Sequence, residues 1–133
     1  MAISARKITP LLEVYDMRRS VAFYCDILGF EVQQKWEPDG HLCWAMLKLG
    51  DAVLMLNSRY EDDQQPPAPD SNRALVHGDT ELYFDCPDVD HAYAQLAEKL
   101  GSKIEKPRIT HYGMKQLTLS DPDGFVLCFQ QPV

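Results

Sequence analysis

The chain has 133 residues, 45% hydrophobic and 25% charged, a mixture that folds as one ordinary domain or as two small halves sharing a core, and that excludes wholesale disorder. Twenty acids against thirteen bases give a net charge of −7, which repels a phosphate backbone and argues against nucleic acid as a partner. The longest apolar runs, Ala52–Leu56 and Phe125–Phe129, fall far short of the about 20 residues that a membrane-spanning helix needs. With no apolar signal core at the start, a cytoplasmic protein is expected.

In chain order, Lys7–Tyr15 reads as a strand, with Pro10 suited to a strand end or bend because it cannot donate to a ladder. Asp16 then opens a helix with apolar residues at Met17, Val21, Tyr24 and Leu28, closed by Gly29. Next come Phe30–Trp36, a turn at Pro38-Asp39-Gly40, Leu42–Leu49, a tight Gly50-Asp51 turn and Ala52–Ser58. The segment Arg59–Gly78 holds three prolines and the acidic run Glu61-Asp62-Asp63, and reads as a linker or mobile flap. A strand at Thr80–Cys86 leads to Asp88, which opens a second helix with Val89, Tyr93, Leu96 and Leu100 on one face, closed by Gly101. Lys103–Glu105, Gly113–Leu119 and Phe125–Gln131 read as the last three strands, with Asp121-Pro122-Asp123-Gly124 between the final two.

The two helices have the same register. Adding 72 to Asp16, Met17, Val21, Tyr24, Leu28 and Gly29 gives the second set without a gap, so the chain carries a duplicated strand–helix–strand–strand–strand unit. The expected fold is therefore α+β: two βαβββ repeats, about 7–58 and 80–131, joined by a 59–79 linker. They form a curved mixed sheet around a groove with the helices outside, all in one domain spanning 1–133. Strand alternation puts Leu12, Val14, Leu54, Leu56, Leu82, Phe84, Leu117, Leu119, Phe125, Leu127 and Phe129 on the face under the helices.

The opposite face carries Thr9, Leu11, Glu13, Val53, Met55, Asn57, Glu81, Tyr83, Asp85, Val126, Cys128 and Gln130, joined by Gln116 and Thr118. A two-residue hairpin at Gly50-Asp51 pairs Trp44 with Asn57, Met46 with Met55 and Lys48 with Val53 on this face. Apolar walls with a few polar groups suit a ligand site better than a dry core. Trp44, Met46, Met55, Asn57, Glu81, Tyr83, Asp85, Tyr112, Gln116 and Cys128 are the candidate ligand-binding residues.

Other chemistry is thin. Cys25, Cys43, Cys86 and Cys128 are widely spaced among apolar neighbours and read as free buried thiols. His41, His77, His91 and His111 form no metal-binding pair and read as surface residues, His111 alone entering a strand that borders the groove. No nucleophile elbow or phosphate loop is present, so no catalytic residue is assigned. Carboxylate neighbours should raise the Cys128 pKa and blunt it. Lys99, Lys103, Lys106 and Arg108 read as a solvated helix end and loop.

These residues resemble the vicinal oxygen chelate superfamily of glyoxalase I, extradiol dioxygenases, fosfomycin-resistance enzymes and bleomycin-resistance proteins. The likeness is carried by Leu12-Glu13-Val14-Tyr15-Asp16, Ser20-Val21-Ala22-Phe23-Tyr24, Leu28-Gly29-Phe30, Tyr83, Tyr112-Gly113-Met114 and Asp121-Pro122-Asp123-Gly124-Phe125. Pro10 brings it nearest to the bleomycin-resistance members. The resemblance implies four metal-ligand positions, which fall on Thr9, Met55, Glu81 and Cys128. A hydroxyl, a thioether, one carboxylate and a thiol do not make a divalent-ion site, so no metal and no cofactor are expected.

By the same resemblance the chain is expected to be a metal-free homodimer that sequesters a flat, neutral or cationic compound in an acidic, aromatic-lined groove, as in antibiotic resistance. Trp44 and Tyr83 would stack on the ligand with help from Trp36 and Tyr112, while Glu81 and Asp85 fix its charge. The alternative is a metal-dependent enzyme, glyoxalase-like or dioxygenase-like, with Glu81, His111 and Glu13 as first suspects for the metal. A regulatory or subunit-interaction module is a third, blander reading.

Overall fold

A computed structural model describes residues 2–61 and 63–133, so Asp62 of the acidic run lies outside the described residues. The chain divides into two compact units, one of Met1–Cys25 and Gly29–Gln65, the other of Asp26–Leu28 and Pro66–Val133. Each holds a four-stranded mixed sheet.

In the first unit, β1 (Leu11–Val14), β4 (Ala52–Ser58), β3 (Trp44–Leu49) and β2 (Glu31–Trp36) lie side by side in that order. Strand β1 runs parallel to β4, and the other neighbours are antiparallel. In the second unit, β5 (Glu81–Asp85), β8 (Val126–Pro132), β7 (Met114–Ser120) and β6 (Arg108–Ile109) repeat the same order and directions. Leu11 pairs with Met55, and Tyr83 pairs with Cys128, so the duplicated register is also a duplicated pairing.

Helix α1 (Met17–Ala22) packs on β4, and α3 (Val89–Leu100) packs on β7 and β8. Both start as their sequences prescribe. Asp16 Oδ1 accepts the Arg19 N–H at 3.1 Å, and Asp88 Oδ1 accepts the His91 N–H at 3.0 Å, each satisfying a first-turn donor. The ends differ. After Ala22 the chain widens into a π-turn over Phe23–Ile27, and the Phe30 N–H reaches the Tyr24 carbonyl at 2.9 Å. That turn sets the fully buried Tyr24 ring edge-on to Phe23 and Phe30, at 5.3 and 5.4 Å between centroids.

Leu12, Val14, Leu47, Leu54 and Leu56 are buried in the first unit, as are Leu117, Phe125, Leu127 and Phe129 in the second. Leu82, Phe84 and Leu119, expected beside them, are half-buried. The β3–β4 hairpin closes through Gly50, whose φ of 59° matches the first central position of a type II′ turn.

Several expectations need correction. The first strand begins at Leu11, after Pro10, whose missing N–H keeps Lys7–Pro10 out of the ladder although its carbonyl accepts from Met55 at 2.8 Å. The strand expected at Lys103–Glu105 is instead β6 at Arg108–Ile109, because Gly101–Lys103 makes a 3₁₀ turn and Ile104 is buried behind it. The supposed linker contains a short helix, α2 (Arg73–His77). Cys128 is buried and none of the four cysteines is in a disulfide, but Cys25, Cys43 and Cys86 are only half-buried.

Helix α2 is tied to the β7–β8 turn of its own unit. Arg73 meets Asp123 at 2.8 Å with both side chains largely buried, and His77 Nδ1–H donates to the Asp123 carbonyl at 2.8 Å. The His77 ring stacks on Phe125 at 4.0 Å, so it is a half-buried packing residue rather than a surface one. The turn is held from inside by Asp121, whose Oδ1 accepts the N–H groups of Asp123 and Phe125, both at 2.9 Å. Gly124 sits at φ +90°, where a Cβ would lie 2.4 Å from the Ala74 Cα.

Candidate functional site

Each sheet has one face under its helix and one open face, and the open faces carry the candidate residues. In the first unit two rungs cross the whole sheet. One is Leu11–Met55–Met46–Gln34, the other Glu13–Asn57–Trp44–Trp36. A bulge between Val32 and Gln34 turns Gln34 and Trp36 toward the side of Met46 and Trp44. Trp36 is 61% exposed, whereas Trp44, Met46, Met55 and Asn57 are half-buried. The patch is therefore two indoles and two thioethers beside two amides, Asn57 and Gln34. Its carboxylate, Glu13, is met by Arg59 at 3.4 Å.

In the second unit the rungs are Glu81–Val126–Ser120, Tyr83–Cys128–Thr118 and Asp85–Gln130–Gln116–Arg108. Gln116 organises this face: its Nε2 donates to Gln130 Oε1 at 2.9 Å and to the Tyr112 hydroxyl at 3.2 Å. The negative charge of Glu81, aided by Cys128 and by burial, holds the Tyr83 phenol above its ordinary pKa, so it stays a neutral donor. His111 is exposed, its ring edge-on to Tyr112 at 5.1 Å.

Glu81, Tyr83, Gln116 and Thr118 line a cleft of about 280 Å³ together with Glu105, Lys106 and Arg108. Reading the Lys99–Arg108 bases as a solvated helix end and loop missed this. Lys106 and Arg108 are two apart on an extended segment, so they project to the same side, and β6 pairs Arg108 with Gln116 on the open face. The available signal was that spacing around Pro107.

The structure brings Trp44, Met46, Met55 and Asn57 together on one sheet, and Glu81, Tyr83, Asp85, Tyr112, Gln116 and Cys128 together on the other. Cys128 is only 2% exposed. Burial first, and then the Glu81 charge, push its thiol above the ordinary range, with a Thr118 hydrogen bond pulling the other way. It is a protonated thiol at neutral pH, neither nucleophile nor ready metal ligand.

The positions the resemblance assigns to metal ligands do not suit a divalent ion. Thr9 precedes β1, Met55 offers a thioether, Cys128 a protonated thiol, and Glu81 alone a hard carboxylate. Among the described residues, no three His, Cys, Asp or Glu side chains stand close enough to share an ion. Among the described residues, too, no helix is long and apolar enough to cross a membrane.

Each unit is a βαβββ module whose sheet has one open face of mixed polarity. Residues 9–129 match the model of the Glyoxalase/Bleomycin resistance protein/Dioxygenase superfamily, and the chain belongs to that superfamily. It is 35% identical over 115 residues to the uncharacterized protein YaeR of Escherichia coli (strain K12), covering 84% of each. It is 25% identical over 121 residues to a probable lactoylglutathione lyase of Synechocystis sp., covering 86% of each. Among solved structures, TnmS3, an antibiotic binding protein from Streptomyces sp. CB03234, superposes with a TM-score of 0.66 at 28% identity, over 100% of this chain and 99% of that one.

Proposed function

We propose that the chain is a metal-free binding protein that sequesters a small, flat organic molecule on its open sheet faces. The observation that carries the reading is the donor set at the family's metal positions: hydroxyl, thioether, one carboxylate and a buried, protonated thiol. On the first unit's face the Trp44–Trp36 and Met46–Met55 rungs supply stacking and adaptable apolar contact and Asn57 a hydrogen bond; on the second unit's face Tyr83 and Gln116 supply hydrogen bonds. Asp85 and Glu81 add negative charge that favours a cationic group. The likeness to an antibiotic binding protein supports a sequestering role of the resistance type. A homodimer in the cytoplasm fits that role, and light scattering that returns a strict monomer would remove the dimer.

The test is a thermal-shift screen of neutral and cationic flat aromatics. A binder at 100 times its dissociation constant raises stability by about 2.7 kcal/mol. Trp44→Ala should weaken a hit by more than about 1 kcal/mol, as loss of an aromatic anchor does. An unchanged affinity removes Trp44 from the site. The relative described as a probable lactoylglutathione lyase favours a second reading, a metal-dependent enzyme, which requires a bound metal that depends on Glu81.

A further inference from the structure

The 280 Å³ cleft of the second unit has a charge pattern that a neutral or purely cationic ligand does not explain. Glu81 and Glu105 line it with Lys106 and Arg108, acids and bases around one space. Some charges elsewhere in the chain are paired: Arg18 and Lys35 meet Glu37, Arg59 meets Glu13, Arg73 meets Asp123, and Lys115 meets Asp90. Among the described residues, none of the four cleft charges makes an ion pair within 4.0 Å. Two cations on one extended segment, at positions two apart, present a paired anchor for an anionic oxygen group. The glutamates present the counterpart for an ammonium. An ammonium alone is repelled by Lys106 and Arg108, and a carboxylate alone by Glu81 and Glu105. A ligand carrying both satisfies all four.

From this juxtaposition we propose that the cleft is a subsite for an ammonium–carboxylate zwitterion, with the carboxylate between Lys106 and Arg108 and the ammonium toward Glu81. The Tyr83 ring and the Thr118 and Gln116 side chains complete it. At about 30 Å³ per water, the space corresponds to about nine waters, enough for the amino-acid end of a larger molecule. This deepens the binding reading above and rests on it.

Titration of the isotope-labelled protein with tryptophan, tryptamine and indole-3-acetate, followed by amide NMR shifts, tests the assignment. These probes share an indole and carry both charges, the ammonium alone or the carboxylate alone, indole-3-acetate being one methylene shorter than the other two. Tryptophan is expected to bind at least fivefold tighter than either single-charge probe. Arg108→Gln should weaken tryptophan at least fivefold without weakening tryptamine, and Glu81→Gln should weaken tryptophan without weakening indole-3-acetate. Tryptamine binding as tightly as tryptophan, or an Arg108→Gln variant that binds tryptophan unchanged, overturns the zwitterion subsite and leaves the binding reading standing. No saturable binding of any of the three overturns the subsite, while the binding reading stands or falls on the thermal-shift screen.

Discussion

Cys128 lies on β8 with Tyr83 opposite it on one side and Thr118 on the other, only 2% exposed. Burial disfavours its thiolate before the Glu81 charge does, which reverses the order of causes that the neighbouring carboxylates suggest in sequence. The consequence is kinetic and thermodynamic. Cys128 should alkylate with iodoacetamide more slowly than Cys25, Cys43 or Cys86 at pH 8, and mass mapping that finds it the fastest would refute its burial. Because folding raises its pKa, the folded state holds this proton after the unfolded state has lost it. Its contribution is complete below about pH 8.5, the ordinary thiol value, and declines as pH rises through the raised folded value. Denaturant midpoints of the parent should therefore fall more steeply above about pH 8.5 than those of Cys128→Ala. Parallel slopes would show that the thiol is not the group responsible.

The turn at Asp121–Phe125 and helix α2 form a unit of a different kind, where backbone and charge are coupled. Gly124 is required twice over, by its φ of +90° and by the close approach of Ala74. Gly124→Ala should cost roughly 2–3 kcal/mol of stability in urea unfolding. Arg73→Ala leaves Asp123 buried without its cation and should cost roughly 3 kcal/mol. A loss below about 0.5 kcal/mol, as for an exposed pair, would mean that α2 is not docked in solution.

Sequence reading recovered what periodicity controls. The alternation of β4, the Gly50-Asp51 hairpin and the Trp44–Asn57, Met46–Met55 and Lys48–Val53 pairs all stand as expected, because a two-residue turn leaves a single register. It missed what depends on contacts distant in sequence. Arg73 and Asp123 are 50 residues apart, and nothing in the composition of Arg59–Gly78 marks a helix of five residues that draws its partners from another turn. β6 was misplaced for a similar reason. Two residues carry no readable period, and the 3₁₀ turn after Gly101 shifts the strand past Pro107.

At the scale of the whole molecule the duplication is the governing fact. The same strand order and the same parallel pairing occur in both units, at positions 72 or 73 apart. Duplication copies the scaffold but not the side chains: the first open face is indole and thioether, while the second is phenol, amide and charge. The family's fold and the composition of each face were legible in the sequence because alternation assigns both. The mixed charge of the second face was not, since Lys106 and Arg108 enter it from a segment with no strand pattern of its own.

The central claim is that these faces hold an organic molecule without an ion. Elemental analysis of the native protein, purified without chelators, tests it most directly. The account predicts well below one equivalent of zinc, nickel, manganese or iron per chain, and ligand-induced thermal shifts that persist in EDTA. One equivalent of such a metal, lost in Glu81→Ala along with ligand binding, would contradict it.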